Sequence, residues 1–232
     1  MSMNSRFSPA FYRYAPFAVF MLFIAFDEIL GFMAAKGIIA FDATELYYLY
    51  PVKTVVVGGM LCHFRKEYTE VRFRDIWRLP DSLLSVGVGI LVFILWINMD
   101  WVLLSPAPKG YDPSLISGEN ARIFMILFRV TGAALVVPIM EELFWRSFLI
   151  RYIIDKNFDT VSIGAFTWMS FCFTAVLFGL EHNYIAAGIM AGVFYNVILF
   201  RTKSIAQCIL AHAVTNLILA IYVLHSGEWR FW

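Results

Sequence analysis

The stretch PIMEELFWRSF, residues 138–148, places Glu141, Glu142 and Arg146 inside a run that otherwise has the composition of a membrane span. On a helix, positions four apart share a face and adjacent positions diverge by about 100°. Glu142 and Arg146 can therefore neutralise each other as an ion pair, while Glu141 points elsewhere. A charge at the centre of a transmembrane helix costs roughly 2.5–3.5 kcal/mol on insertion scales, so an unpaired carboxylate there needs a partner or a task. Glu141 is placed as a general base facing a central cavity would be.

The rest of the chain agrees with a membrane setting. Its 232 residues are 61% hydrophobic and 15% charged, with mean hydropathy +0.73. Soluble domains average about 45–50% apolar and about 25% charged, so the expectation is an all-α, polytopic helix bundle. A net charge of +1 supplies no basic field for nucleic acid. Cys62, Cys172 and Cys208 have neither metal-ligand nor redox spacing and are read as buried hydrophobes. The first apolar run contains Asp27 and Glu28 and lacks a clear cleavage site, which predicts a retained first helix.

A span needs about 20 apolar residues. Seven candidates run over 15–35, 45–63, 83–104, 121–141 continuing toward 155, 161–180, 184–200 and 204–224. An eighth arises if 121–155 makes two passes, with Pro138 at the break. With the N-terminus inside, twelve Lys and Arg residues fall in inner segments and four in outer ones (Lys36, Lys109, Arg122 and Arg230), which favours N-in and C-out. The charged and aromatic segment 63–81 reads as either an amphipathic surface helix or a solvated loop, and 105–120 as an extramembrane loop. One integral membrane domain over 1–232 is the simplest organisation.

Two further polar pairs repeat the four-residue spacing: Phe178 with His182, and His212 with Asn216. Three helices thus each present a polar group on a defined face. Lys53 is expected to pair with Asp27 or Glu28, and Gly188 with Gly192 forms a small-residue packing face. No G-x-S-x-G or H-E-x-x-H motif is present. Water activation by Glu141 and His182, with His212 and Asn216 donating to the oxyanion, fits what remains. A zinc ion held by Glu141, His182 and His212 is the alternative that spacing leaves open.

In that order, Glu141-Glu142-x-x-x-Arg146, Phe178-x-x-x-His182 and His212-x-x-x-Asn216 resemble the CAAX prenyl protease and bacteriocin-processing (CPBP, or Abi) family of intramembrane proteases. The motifs cover 76 residues, 141–216, and every motif position is filled. The resemblance implies that Glu141 and His182 activate water, that His212 and Asn216 form the oxyanion hole, and that Glu142, Arg146 and Phe178 support them; of the metal-dependent and metal-free forms attributed to such a family, the metal-free one is favoured here. It also implies a membrane-delivered protein or peptide substrate. The N-terminal YAPFAVFMLF and LYPVKTVVVGG are similar to a bacterial CAAX-protease-related subfamily associated with exosortase and PEP-CTERM sorting, implying a bacterial inner membrane. The rival expectations are a non-enzymatic immunity or chaperone-like protein that binds an export-system peptide, and a transporter. One difficulty stands: counted from the 155–160 connection, His182 lies about 30 Å up the fifth span while Glu141 lies about 21 Å up the fourth.

Overall fold

A computed structural model describes residues 7–41, 44–101 and 110–232. Arg6, Lys109 and the 102–109 portion of the third span and following loop lie outside them. The described residues form seven main helices and no strands: α1 (Pro9–Ala35), α2 (Leu49–Phe64), α3 (Leu79–Asn98), α4 (Glu119–Ile154), α5 (Trp168–Leu180), α6 (Ile185–Thr202) and α7 (Ile205–Ser226). Of these, α1, α3, α4, α6 and α7 are long and apolar enough to cross a membrane, and the protein is an integral, multi-pass membrane protein. Leu22, Phe32, Leu127, Met169 and Ile221 point outward, as side chains solvated by lipid do.

Local chemistry sets the ends of these helices. Ser8 caps α1 by accepting from the Phe11 amide, and Pro9 follows at the first helical position. At the other end Gly37, at φ +68°, lets its own amide and that of Ile38 reach the Ala34 and Met33 carbonyls, a Schellman closure. Gly227 at φ +74° ends α7 by bonding to Val223.

The 36 residues of α4 form one continuous helix, so 121–155 does not turn back at Pro138. At about 1.5 Å per residue it is roughly 54 Å long, more than a hydrocarbon core of about 30 Å, so it is tilted or projects. Two π-helical segments interrupt it, Gly132–Val136 and Leu143–Leu149. The first lies immediately before Pro138. A proline ring clashes with the preceding turn and donates no amide, and the wider π turn accommodates both defects.

Two expectations are corrected. Of the three cysteines only Cys208 is buried, and Cys62 and Cys172 are exposed on the outer faces of α2 and α5. The fifth span begins at Trp168, where Thr167 caps α5 by accepting from the Ser170 amide, and not at 161. His182 is then 14 residues from the helix start and Glu141 14 residues from Asp155, about 21 Å in each case. The height mismatch disappears. Of the two readings of the 63–81 segment the loop is the one found: between α2 and α3 the 65–78 connection contains only the 3₁₀ turns Arg65–Glu67 and Phe73–Trp77. Its acids turn inward instead: Glu70 takes a two-pronged bond from Arg13, and Asp75 accepts from Ser204 at 2.8 Å.

Helices α1, α2 and α7 pack on the middle of α4 and α5 packs on its C-terminal part, while α3 and α6 close the bundle by packing on α7 and α6 also on α5. Helices α5 and α6 approach closely: a Cβ on Gly188 would lie 2.8 Å from the Gly179 Cα, and one on Gly192 3.0 Å from the Ala175 Cα. This bears out the small-residue face. The Lys53–Asp27 pair also forms, at 3.2 Å.

Candidate active site

The predicted ion pair on α4 is present and fully buried. Arg146 Nη1 donates to Glu142 Oε1 at 3.1 Å, and the two side chains are 1% and 0% exposed. Arg146 also donates to Asn196 Oδ1 (3.2 Å) and to the Gly192 carbonyl (3.3 Å) on α6, and its guanidinium lies 4.5 Å from the Phe178 ring centre. Glycine at 192 thus permits both helix contact and access to a backbone acceptor. Asn196 in turn donates to the Phe171 carbonyl and Thr174 on α5. The pair is the centre of a network that fixes α4, α5 and α6 together.

Glu142 has a second partner, which the four-residue spacing alone does not reveal. His212 Nδ1 lies 2.9 Å from Glu142 Oε1, and His212 Nε2 lies 3.9 Å from Glu141 Oε2. A carboxylate accepts, so Nδ1 carries the proton and Nε2 is turned toward Glu141. His182 is fixed in the same sense. Its Nδ1 donates to the Phe178 carbonyl at 2.7 Å, leaving Nε2 as a lone-pair acceptor. Phe178 itself is 4.8 Å from the His182 ring and 6.0 Å from the His212 ring, and Tyr195 stacks on His212 at 4.8 Å. These aromatic walls restrict both imidazoles.

Glu141, His182, His212 and Asn216 line one cavity of about 160 Å³. Glu141 Oε2 is buried and has no hydrogen-bond partner. Asn216 is engaged by α4: its Nδ2 donates to the Ala133 carbonyl at 2.9 Å. That carbonyl would otherwise be orphaned, because the Val137 amide bonds to Gly132 and Pro138 has none. Asn216 therefore closes a backbone defect and keeps one amide proton for other use.

Sequence reasoning did not assign a site role to Glu181, Trp145, Tyr195, Asn196 or Arg129. Glu181 Oε1 accepts from Trp145 Nε1 at 3.1 Å, and ligand atoms of Glu141, Glu181 and His182 come within 4.8 Å of one another. The described group with metal-binding spacing thus contains Glu181 in place of the expected His212. Adjacency to His182 was the available signal for Glu181; for Asn196 it was an amide in an apolar helix.

The comparisons with known proteins fall on this same region. Residues 123–218, under half of the chain, match the family model described as Type II CAAX prenyl endopeptidase Rce1-like. This segment is similar to that family. The match contains all seven motif residues from Glu141 to Asn216, and the CPBP resemblance read from the motifs agrees with it. No curated protein and no solved structure matches the chain significantly.

Proposed function

We propose that the protein is an intramembrane endopeptidase that hydrolyses a peptide bond of a membrane-delivered substrate with Glu141 as general base. The observation that carries this is Glu141 Oε2: buried, without a hydrogen-bond partner, in one cavity with two imidazoles of fixed orientation and a carboxamide. The Rce1-like match to a protease family supports it. The path through the bilayer is a seven-pass one, with α2 and α5 as short spans and the cavity wet and inside the membrane.

In this mechanism a water donates one proton to Glu141 and a hydrogen bond to the His182 Nε2 lone pair. Its oxygen adds to the scissile carbonyl carbon, and the carbonyl oxygen becomes an oxyanion. Asn216 donates its remaining amide proton to that oxygen. His212 donates from Nε2 in its doubly protonated form, whose charge Glu142 balances from 2.9 Å. The C–N bond then breaks, and Glu141 returns the proton to the departing amine. A zinc alternative would be held by Glu141, Glu181 and His182, a carboxylate and imidazole set suited to that ion, which would polarise the carbonyl or acidify the water. The proposal is for metal-free chemistry.

The setting we propose is a bacterial inner membrane with a link to exosortase sorting, supported by the N-terminal resemblance. The test is to incubate the purified chain in lipid nanodiscs with a peptide library and read new termini by mass spectrometry. Cleavage that Glu141→Gln removes supports the reading, and cleavage that survives chelator in metal-free protein supports the metal-free form. Peptide retention without cleavage would favour a non-enzymatic binding protein instead.

A further inference from the structure

We infer that Arg129 forms an anion subsite, opening into the same cavity as Glu141, that takes a carboxylate of the bound peptide. Three cations line the larger, adjoining cavity of about 350 Å³: Lys53, Arg129 and Arg230. Lys53 is bonded to Asp27, and Arg230 to Asp100 and Glu228. Arg129 has no ion pair among the described residues, its Nε is buried without a hydrogen-bond partner, and the hydrogen-bonding side chain beside its guanidinium is the neutral Tyr50 hydroxyl. Three aromatic faces surround the guanidinium, Tyr50 at 4.3 Å, Tyr111 at 5.2 Å and Trp232 at 5.9 Å. They stabilise the charge, but none of them supplies the anionic two-oxygen acceptor that the fork of a guanidinium matches.

The neighbouring donors point to the same class of ligand. The indole nitrogens of Trp96 and Trp232, which line both cavities, are buried without a partner. Indole and guanidinium N–H groups can only donate, so the wall that Arg129 shares with them calls for a group that only accepts. A carboxylate meets this with one charge, which one guanidinium balances. A phosphate monoester carries about −1.5 to −2 and would leave charge uncompensated toward Glu141 and Glu181. Arg129 and Glu141 line one continuous space, twelve residues apart on α4, roughly 18 Å along the axis at ideal rise. An extended peptide covers that span in about five residues.

This inference rests on the peptide-binding part of the proposed function, and its test reads binding, not turnover. Glu141→Gln protein in nanodiscs is incubated with a random decapeptide library prepared as free acids and as C-terminal amides, and retained peptides are quantified by mass spectrometry. Peptides bearing a carboxylate are expected to be enriched about tenfold over those without, the worth of a charge-assisted bond pair, and the enrichment is expected to vanish in Glu141→Gln/Arg129→Gln. Enrichment abolished by amidation supports the subsite with the terminal carboxylate as its source; enrichment that persists in amidated peptides containing Asp or Glu supports it with a side chain as the source. Equal retention of peptides with and without carboxylates overturns it, whether or not the Glu141-containing protein cleaves peptides. Should Arg129→Gln fail to remain monodisperse, Arg129→Lys, which keeps the charge and loses the fork, carries the comparison, with weakened enrichment expected and unchanged enrichment overturning the subsite.

Discussion

Glu142 Oε1 accepts from both Arg146 and His212, so its charge is committed to two neighbours, whereas the Oε2 of Glu141 accepts no hydrogen bond and has His212 Nε2 no nearer than 3.9 Å. The two substitutions should therefore separate. Glu141→Gln removes the base and leaves the network intact, and turnover should fall by about 10²–10⁴-fold with the thermal unfolding midpoint unchanged. Glu142→Gln weakens the grip on Arg146 and His212 together, and both turnover and unfolding temperature should fall, because breaking a buried pair exposes an uncompensated charge, at about 3–5 kcal/mol. Parallel measurement of cleavage and of unfolding by scanning fluorimetry checks both. A Glu141→Gln protein that unfolds as early as Glu142→Gln would place Glu141 in the scaffold and not in the chemistry.

At the scale of elements, the π segment before Pro138 ties α4 to α7 through the Asn216 bond to Ala133. Asn216→Ala should cost stability as well as activity. Replacing Pro138 by alanine supplies an amide for the stranded carbonyl, so in that background the stability cost of Asn216→Ala should shrink while its loss of turnover persists. If both losses vanish together, Asn216 acts only as a tie. This bond also shows where sequence reading reaches its limit. The Glu142–Arg146 pair and the Gly188–Gly192 face follow from four-residue spacing, and the pair forms even though Arg146 lies in the second π segment; the shared cavity of Glu141, His182, His212 and Asn216 was legible from the order of the polar motifs on successive helices. The π segments are set by packing between helices and have no periodic signature. The start of α5 at Trp168 depends on a Thr167 cap inside an apolar stretch, and hydropathy alone extended the helix to 161. The Glu142–His212 bond joins residues 70 apart, a relation that spacing within one helix does not encode. Gly192→Leu should break the α5–α6 contact outright, because its Cβ would already meet the Ala175 Cα at 3.0 Å; loss of monodisperse protein on purification is the readout.

Across the whole molecule, the N-terminal helix α1 is joined to α4 by a cluster of charges near one end of the bundle. Arg13 on α1 grips Glu70 from Nε and Nη2, each at 2.7 Å, and Glu70 also accepts from Ser147, one residue after Arg146 on α4. Arg151 bonds to the Ser147 hydroxyl and carbonyl, so the 65–78 connection fastens α1 to the second π segment. Burial of Glu70 by itself raises its pKa, but the hydrogen bonds and charge of Arg13, with the Ser147 bond, outweigh it and hold the carboxyl below its ordinary value. A folded-state pKa below the unfolded one gives stability that is present above the unfolded value, about 4.3, and is lost as pH falls through the folded value. Unfolding temperature in detergent should therefore decline as the solution is acidified below the ordinary glutamate range. Glu70→Gln should lower stability near neutral pH and flatten that acid-side decline, since the residue whose protonation drives it is gone. Equal acid sensitivity in the wild-type and Glu70→Gln proteins would show that the junction between α1 and α4 is held by its packing, with the Phe17 and Phe144 rings stacked at 4.0 Å as the next contact to remove.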